Sequence, residues 1–231
     1  MELSAVIHSR RSVRQFESES VPKDVMTRAF EHAVLAPNSS NVQTWDFYWV
    51  RSERLKKDLV SACLNQAAAR TSAELVVVAA DHSRWRRAQA PLLKWARDIQ
   101  APKAVIDYYE KLIPLVYRTG PFNVFAPLKW IAFTVTGLFR PMMRGPVTSR
   151  DLSEVAIKSA ALAAENFVLS LKDQGFDSCM MEGFDEKRVK ALCRLKSPAR
   201  IVMVIAVGKS KPSGTWGERF RLPLEDVIHE I

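Results

Sequence analysis

A chain of 231 residues, 48% hydrophobic and 26% charged, carries enough apolar side chains for one sizeable core, which excludes a disordered or low-complexity protein. Its net charge is +9, yet residues 84–150 hold twelve Lys/Arg against three Asp/Glu while the remainder holds twenty-two of each sign, so the excess belongs to one segment. Three cysteines without a CxxC pair and four scattered histidines exclude a disulfide framework and a metal site, and with no apolar signal segment in residues 1–20 they point to a cytoplasmic protein.

Residues 2–9 predict a short helix with Leu3, Val6 and Ile7 on one face. Arg10-Arg11-Ser12-Val13-Arg14-Gln15-Phe16 follows, with three arginines and a serine inside five residues. Guanidinium groups stay charged and present a planar fork of donors that a phosphate accepts in pairs, so the cluster suits a phosphorylated ligand; the alternative is a solvated basic patch. Pro22 opens a second helix at its first position, with Val25, Met26, Ala29, Phe30, Ala33 and Val34 as the buried stripe. Ala36-Pro37-Asn38-Ser39-Ser40-Asn41-Val42-Gln43-Thr44-Trp45 is a loop dense in amides and hydroxyls, able to bond its own backbone or a ligand's polar edge. Residues 46–51 read as an aromatic-rich strand and 53–70 as one helix burying Leu55, Leu59, Ala62 and Cys63. Residues 75–80 read as a strand covered on both faces.

Residues 84–150 break this rhythm. Pro102 opens a helix that Pro114 should end or kink. The apolar run 130–139 is too short to span a bilayer, which takes about twenty residues. Ten of the twenty-one aromatic residues lie in this segment, together with the whole net charge. Three readings stay open: padding for a dimer interface, a basic lid that attracts a reduced nicotinamide nucleotide or an acidic substrate, and a membrane-surface element through about 121–143 at the inner face of a membrane. No nucleic-acid recognition motif accompanies the charge.

Residues 151–172 form the strongest helical pattern, with Asp151 and Glu154 as a capping box, a stripe of small residues from Ala156 to Ala163, and Gly175 at its C-terminus. A strand over 176–181, the turn Glu182-Gly183-Phe184-Asp185, a helix over 186–195 and a strand over 200–207 follow. The chain has neither a GxGxxG nor a Walker loop, so a nucleotide-like cofactor would bind without the Rossmann fingerprint.

Four stretches, in this order, resemble the motifs of the FMN-dependent nitroreductase superfamily: the arginine cluster at 10–16, the loop at 36–45, Ala163-Ala164-Glu165-Asn166-Phe167 running through Gly175 to the Glu182 turn, and Arg219-Phe220-Arg221-Leu222-Pro223. The resemblance covers about residues 3–83 and 151–224. It implies an α+β fold with a mostly antiparallel central sheet flanked by helices, in one domain over 1–231 that carries residues 84–150 as an insertion or lid. It also implies an intertwined homodimer with FMN at the interface. By position, Arg10, Ser12 and Arg14 resemble phosphate and ribityl contacts with Arg11 adjacent, and Arg219 and Arg221 a second phosphate clamp. Pro37, Asn38, Ser39, Ser40, Asn41 and Gln43 resemble the loop lent to the partner's flavin, although Thr44 stands where the family usually has proline. Gln66 resembles a contact to the flavin's pyrimidine edge. Glu182 and Gly183 resemble the turn whose backbone N–H groups face flavin N5 and O4, the Glu182 amide being the catalytic contact. The implied activity is ping-pong transfer of reducing equivalents from NADH or NADPH to a nitroaromatic, quinone or similar small-molecule acceptor. The alternatives are a non-catalytic FMN-binding protein at a membrane surface and a flavin enzyme whose lid defines a specialised substrate.

Overall fold

The computed structural model describes residues 2–231. Four strands, β1 (Trp45–Val50), β2 (Glu74–Ala80), β3 (Asp177–Met181) and β4 (Arg200–Gly208), form one antiparallel sheet in the order β1-β2-β4-β3. The two continuous apolar runs become the central strands, as burial on both faces requires. Alternation divides β2 between two layers: Val76, Val78 and Ala80 face one, Leu75, Val77 and Ala79 the other.

The first layer contains α2 (Lys23–Ala33) and α9 (Ser149–Asp173), packed on each other and on the sheet around Phe30, Phe47 and Phe167. Alanines at 156, 160, 163 and 164, all buried, let α9 approach closely. The second layer contains α3 (Glu53–Ala62), α4 (Ala67–Thr71) and α10 (Glu186–Leu192), which bury Leu59, Ala62, Ala68 and Val189. An α+β fold with an antiparallel sheet between helical layers is therefore observed, preceded by the expected α1 (Leu3–Ser9).

Local differences from the sequence pattern have physical causes. Pro22 is the residue before α2 rather than its first residue. The helix expected over 53–70 breaks between α3 and α4, where Leu64 and Asn65 take φ of 58° and 54°; Leu55 is exposed at 39% instead of buried. The capping box of α9 lies three residues earlier than expected. Thr148 is the N-cap, its side chain accepts from the Asp151 N–H at 3.2 Å, and the Asp151 carboxylate accepts from the Thr148 N–H at 2.9 Å. At the other end Gly175, at φ 78°, lets the Phe176 N–H reach Leu171 O at 2.9 Å, closing the helix.

Between β2 and α9 lie α5 (Trp85–Asp98), α6 (Lys103–Asp107), α7 (Ile113–Tyr117) and α8 (Ala126–Phe139). Pro114 does not end its helix. A π-helical turn at Tyr108–Leu112, closed by Ile113 N–H to Tyr108 O, shifts the hydrogen-bond register just before the proline, and α6 runs on into α7. Trp85, Leu92, Ile113, Val116 and Tyr117 make a third, smaller core against Val42 and Leu152. In α8 Trp130, Ile131, Leu138 and Phe139 are exposed, while Lys129, its sole charged residue, is buried. Among the described residues no helix is long and apolar enough to cross a membrane.

Candidate functional site

The arginine cluster owes its position to backbone pairing. Residues 12–16 run beside β3 at the sheet edge: Ser12 bridges Ser178 in parallel, Val13 N–H donates to Ser178 O at 3.0 Å, and Phe16 bridges Ser210. Val13 and Phe16 are buried and anchor the segment. In an extended chain the neighbours of Val13, Ser12 and Arg14, project to the opposite side. Past β4 the chain turns back at Gly214, whose carbonyl accepts the Arg14 N–H at 2.7 Å. A Cβ there would stand 2.8 Å from Gln15 O and 2.9 Å from Lys211 O, so only glycine allows so close a return. The return delivers Trp216–Arg221 to the cluster. Arg10, Arg11, Ser12, Arg14, Arg219 and Arg221 then line one cavity of about 200 Å³.

Within it, backbone carbonyls and an indole orient several of the guanidiniums. Arg11 Nη2 donates to Gly217 O at 2.8 Å, Arg219 donates to Ile7 O at 3.4 Å and to Arg10 O, and Arg221 to Phe220 O at 2.7 Å. The Arg14 guanidinium lies 4.0 Å over the Trp216 ring. Arg10 ion-pairs with Glu165 at 3.1 Å, yet its Nε is buried without a hydrogen-bond partner. Five guanidiniums face one carboxylate on the wall, that of Glu218. An anion with several acceptor oxygens is the chemistry that satisfies such a set.

At the far end of β3 the Glu182–Gly183 turn meets Gln66. Gln66 Nε2 donates to Gly183 O at 2.5 Å and to Cys63 O at 3.1 Å, and a Cβ on Gly183 would stand 3.1 Å from that nitrogen. The break between α3 and α4 puts Gln66 there, as the N-cap of α4. Four residues of strand, about 13 Å, separate Ser178 from Glu182. Burial pushes the Cys63 thiol beneath Gln66 up to about 11, so it stays protonated and acts as packing.

The loop at 37–41 is strained and internally bonded. Ser40, Asn41 and Gln43 take φ of 57°, 53° and 47°, unusual for residues with side chains. Asn38 Oδ1 accepts from Gln43 N–H at 2.9 Å, and Asn38 Nδ2 donates to Asn41 Oδ1 at 3.3 Å. Ser39 N–H donates to Ser159 Oγ at 3.3 Å, Ser40 Oγ shares a 2.6 Å hydrogen bond with Tyr108 OH, and Pro37 is exposed. Buried Thr44 lends its carbonyl to Asp81 N–H at 2.8 Å. Within one chain this loop does not line the arginine cavity; Asn41 and Gln43 instead open onto a separate space of about 660 Å³ beside Trp45, Arg87 and Trp95. Sequence reasoning missed Tyr108 and Arg87, whose Nη2 donates to Gln43 O at 2.9 Å; nothing in the pattern of 84–150 distinguishes them from their aromatic and basic neighbours.

The Nitroreductase family model matches residues 7–209. The chain belongs to the nitroreductase family. The matched span takes in the arginine cluster, the 36–45 loop and the Glu182 turn, and ends before Arg219 and Arg221. MhqN of Bacillus subtilis is 28% identical over 228 residues, 98% of each chain. The oxygen-insensitive NADPH nitroreductase of Helicobacter pylori is 23% identical over 208 residues, 88% of this chain and 85% of that one. Among solved structures, ydfN of B. subtilis superposes with a TM-score of 0.81 at 22% identity over 100% of this chain and 99% of the other. A nitroreductase-fold protein of Exiguobacterium sibiricum, crystallised in complex with FMN, gives a TM-score of 0.74 at 21% identity over 100% and 98%.

Proposed function

We propose that this nitroreductase-family protein is an FMN-dependent oxidoreductase that carries reducing equivalents from NADH or NADPH to a nitroaromatic, quinone or other electron-poor acceptor. The observation that carries the reading is the convergence of Arg10, Arg11, Arg14, Arg219 and Arg221 on one cavity with an unsatisfied buried Arg10 Nε. Those groups suit a phosphate dianion, which accepts bidentate pairs from guanidinium forks. The run of β3 from Ser178 to Glu182 suits the ribityl chain and ring that a flavin mononucleotide adds to its phosphate.

In this reading Arg10, Arg14, Arg219 and Arg221 hold the phosphate, Arg11 braces the C-terminal return through Gly217, and Ser12 adds a hydroxyl donor. Gln66, fixed by Gly183, presents its amide oxygen to the pyrimidine edge. The Glu182 backbone N–H would supply a fixed donor toward the redox-active ring of the flavin. Bound FMN supplies the two-electron chemistry, and no side-chain nucleophile is required. The homodimer belongs to the same reading: the 37–41 loop, away from the arginine cavity of its own chain, would complete a partner's site. The NADPH nitroreductase named above supports the donor class. Purified protein should bind FMN and turn yellow, and its flavin absorbance should bleach on anaerobic mixing with NADH or NADPH and return on adding an electron-poor acceptor. Colourless protein that takes up no added FMN refutes the reading; bound flavin that neither nucleotide reduces leaves a carrier rather than an enzyme.

A further inference from the structure

A third cavity, of about 710 Å³, lies between α7 and α8, a size usual for small-molecule sites. Pro114, Leu115, Leu128, Ala132 and Phe133 make its wall largely apolar. The charged groups on it are Glu110, Lys111, Arg118 and Lys129. Two are already neutralised: Arg97 holds Glu110 at 2.7 Å, and Asp107 holds Lys111 at 2.7 Å. Two cations remain. Arg118 makes no side-chain hydrogen bond or ion pair among the described residues. Lys129 is 7% exposed, and its ammonium donates to a single acceptor, Val116 O, at 2.7 Å.

An ammonium has three donors, and burying one without a counterion is costly. Burial accordingly lowers the Lys129 pKa. The placement is also inverted for stability. The only charge on α8 points inward, while Trp130 and Ile131 beside it face outward. Val116, the partner of Lys129, is two residues from Arg118, so both cations stand at the C-terminal end of α7. The cavity thus joins an apolar wall to a buried ammonium without a counterion and an exposed guanidinium without a protein partner among the described residues.

The geometry points to a binding site for an apolar carboxylate, a fatty-acid-like anion whose chain lies along the Leu115, Leu128 and Phe133 wall and whose head group meets Lys129 and Arg118. The ligand completes the hydrogen bonding of the buried ammonium and covers apolar surface that water otherwise touches. The site is separate from the arginine cavity and does not rest on the flavin reading.

Calorimetric titration of the full chain with laurate, below its micelle concentration, and with lauryl alcohol tests this, with and without added FMN. Laurate should bind at least about tenfold tighter than the alcohol, and Lys129→Met and Arg118→Gln should each remove most of that difference. Arg118 is exposed, so Arg118→Gln keeps the test readable if Lys129→Met fails to fold. Equal affinity for the two probes, or a carboxylate preference that survives both substitutions, overturns the site. Co-sedimentation with phosphatidylglycerol vesicles that laurate does not compete with, and that both variants retain, overturns it in favour of a membrane surface.

Discussion

At the sheet edge five arginines from residues 10–14 and 219–221 meet around one cavity that has a single carboxylate on its wall, whereas between residues 84 and 150 twelve Lys/Arg are spread over four helices and their connections and mostly engaged by neighbours. Arg84 and Arg87 both pair with Asp46, at 2.8 and 2.7 Å. Lys103 and Lys111 share Asp107, and Arg97 takes Glu110. Arg144 donates to the carbonyls of Phe133, Thr134 and Gly137. The first region is drawn from the electrically neutral part of the chain; the second holds the whole net charge. Convergence of five cations on a wall with one carboxylate, rather than a segment's net charge, marks the anion site. The substitutions below test that contrast in order of expected effect.

The platform under the arginine cavity should be the costliest to damage. Phe167 is fully buried, with its ring 4.9 Å from Phe30 and 6.0 Å from Phe47. Phe167→Ala should cost about 3–5 kcal/mol of stability in urea unfolding. Trp85→Ala, in the small core of the insertion, should instead speed amide exchange in 84–150 and leave anion binding at the sheet edge unchanged. If both variants unfold the chain equally, the two regions are one cooperative unit and the contrast fails.

Next in size come the cavity's own cations. Arg14→Ala and Arg221→Ala should each weaken FMN binding by about ten- to a hundredfold, read from quenching of flavin fluorescence, as expected for losing about 1.5–3 kcal/mol of charged hydrogen bonding. Arg97→Ala in the insertion should change it less than about twofold, because an exposed ion pair contributes little even locally. Unchanged flavin affinity in both cavity variants would make the cluster a solvated patch.

The sequence made the two arginine clusters and the central strands legible for different reasons. Residues 75–80 and 200–207 announce themselves by unbroken apolar runs, and Arg10–Arg14 by density. That Arg219 and Arg221 complete the same cavity came from family resemblance, because the contact depends on the Gly214 return, which no local pattern encodes. The break after α3 was hidden because Leu64 and Asn65 take the left-handed conformation without glycine. The α8 helix was hidden because an apolar run has no 3.6-residue period to read. The helix end expected at Pro114 does not occur because the compensating π-turn is set by hydrogen bonding upstream of it.

Lys129 offers a smaller effect with a pH signature. Removing the buried ammonium in Lys129→Met should raise stability at pH 7 by about 1 kcal/mol, roughly 2–4 °C in Tm for a chain of this size. The folded pKa lies below the ordinary lysine value of 10.5, so below the folded pKa both states are protonated and the penalty is complete. As pH rises from the folded pKa toward 10.5 the native state sheds its proton first, and the wild type gains stability. The advantage of Lys129→Met should therefore shrink between pH 7 and pH 10 in thermal melts. An advantage that grows with pH would contradict the burial of an uncompensated charge. Of similar size, Thr148→Ala should cost about 1 kcal/mol through the capping box of α9, again without touching flavin affinity.

The smallest expected effect contrasts two like contacts. Arg14 lies 4.0 Å over Trp216 at the cavity, and Arg86 lies 4.7 Å over Trp85 in the insertion. Trp216 is 73% exposed, so its ring contributes little to stability. What it does is fix the direction of a guanidinium that would otherwise lose rotamer entropy on meeting an anion. An exposed cation–π contact is worth about 0.5–1 kcal/mol, so Trp216→Ala should weaken FMN binding by about two- to fivefold. Trp216→Phe keeps an aromatic face under Arg14 and should recover part of that loss. Arg86→Ala removes the matching contact at Trp85 and should leave flavin affinity where it was, because that contact lies outside the arginine cavity. Equal affinities for wild type, Trp216→Ala and Trp216→Phe would mean that the backbone return at Gly214, and not the indole, positions Arg14.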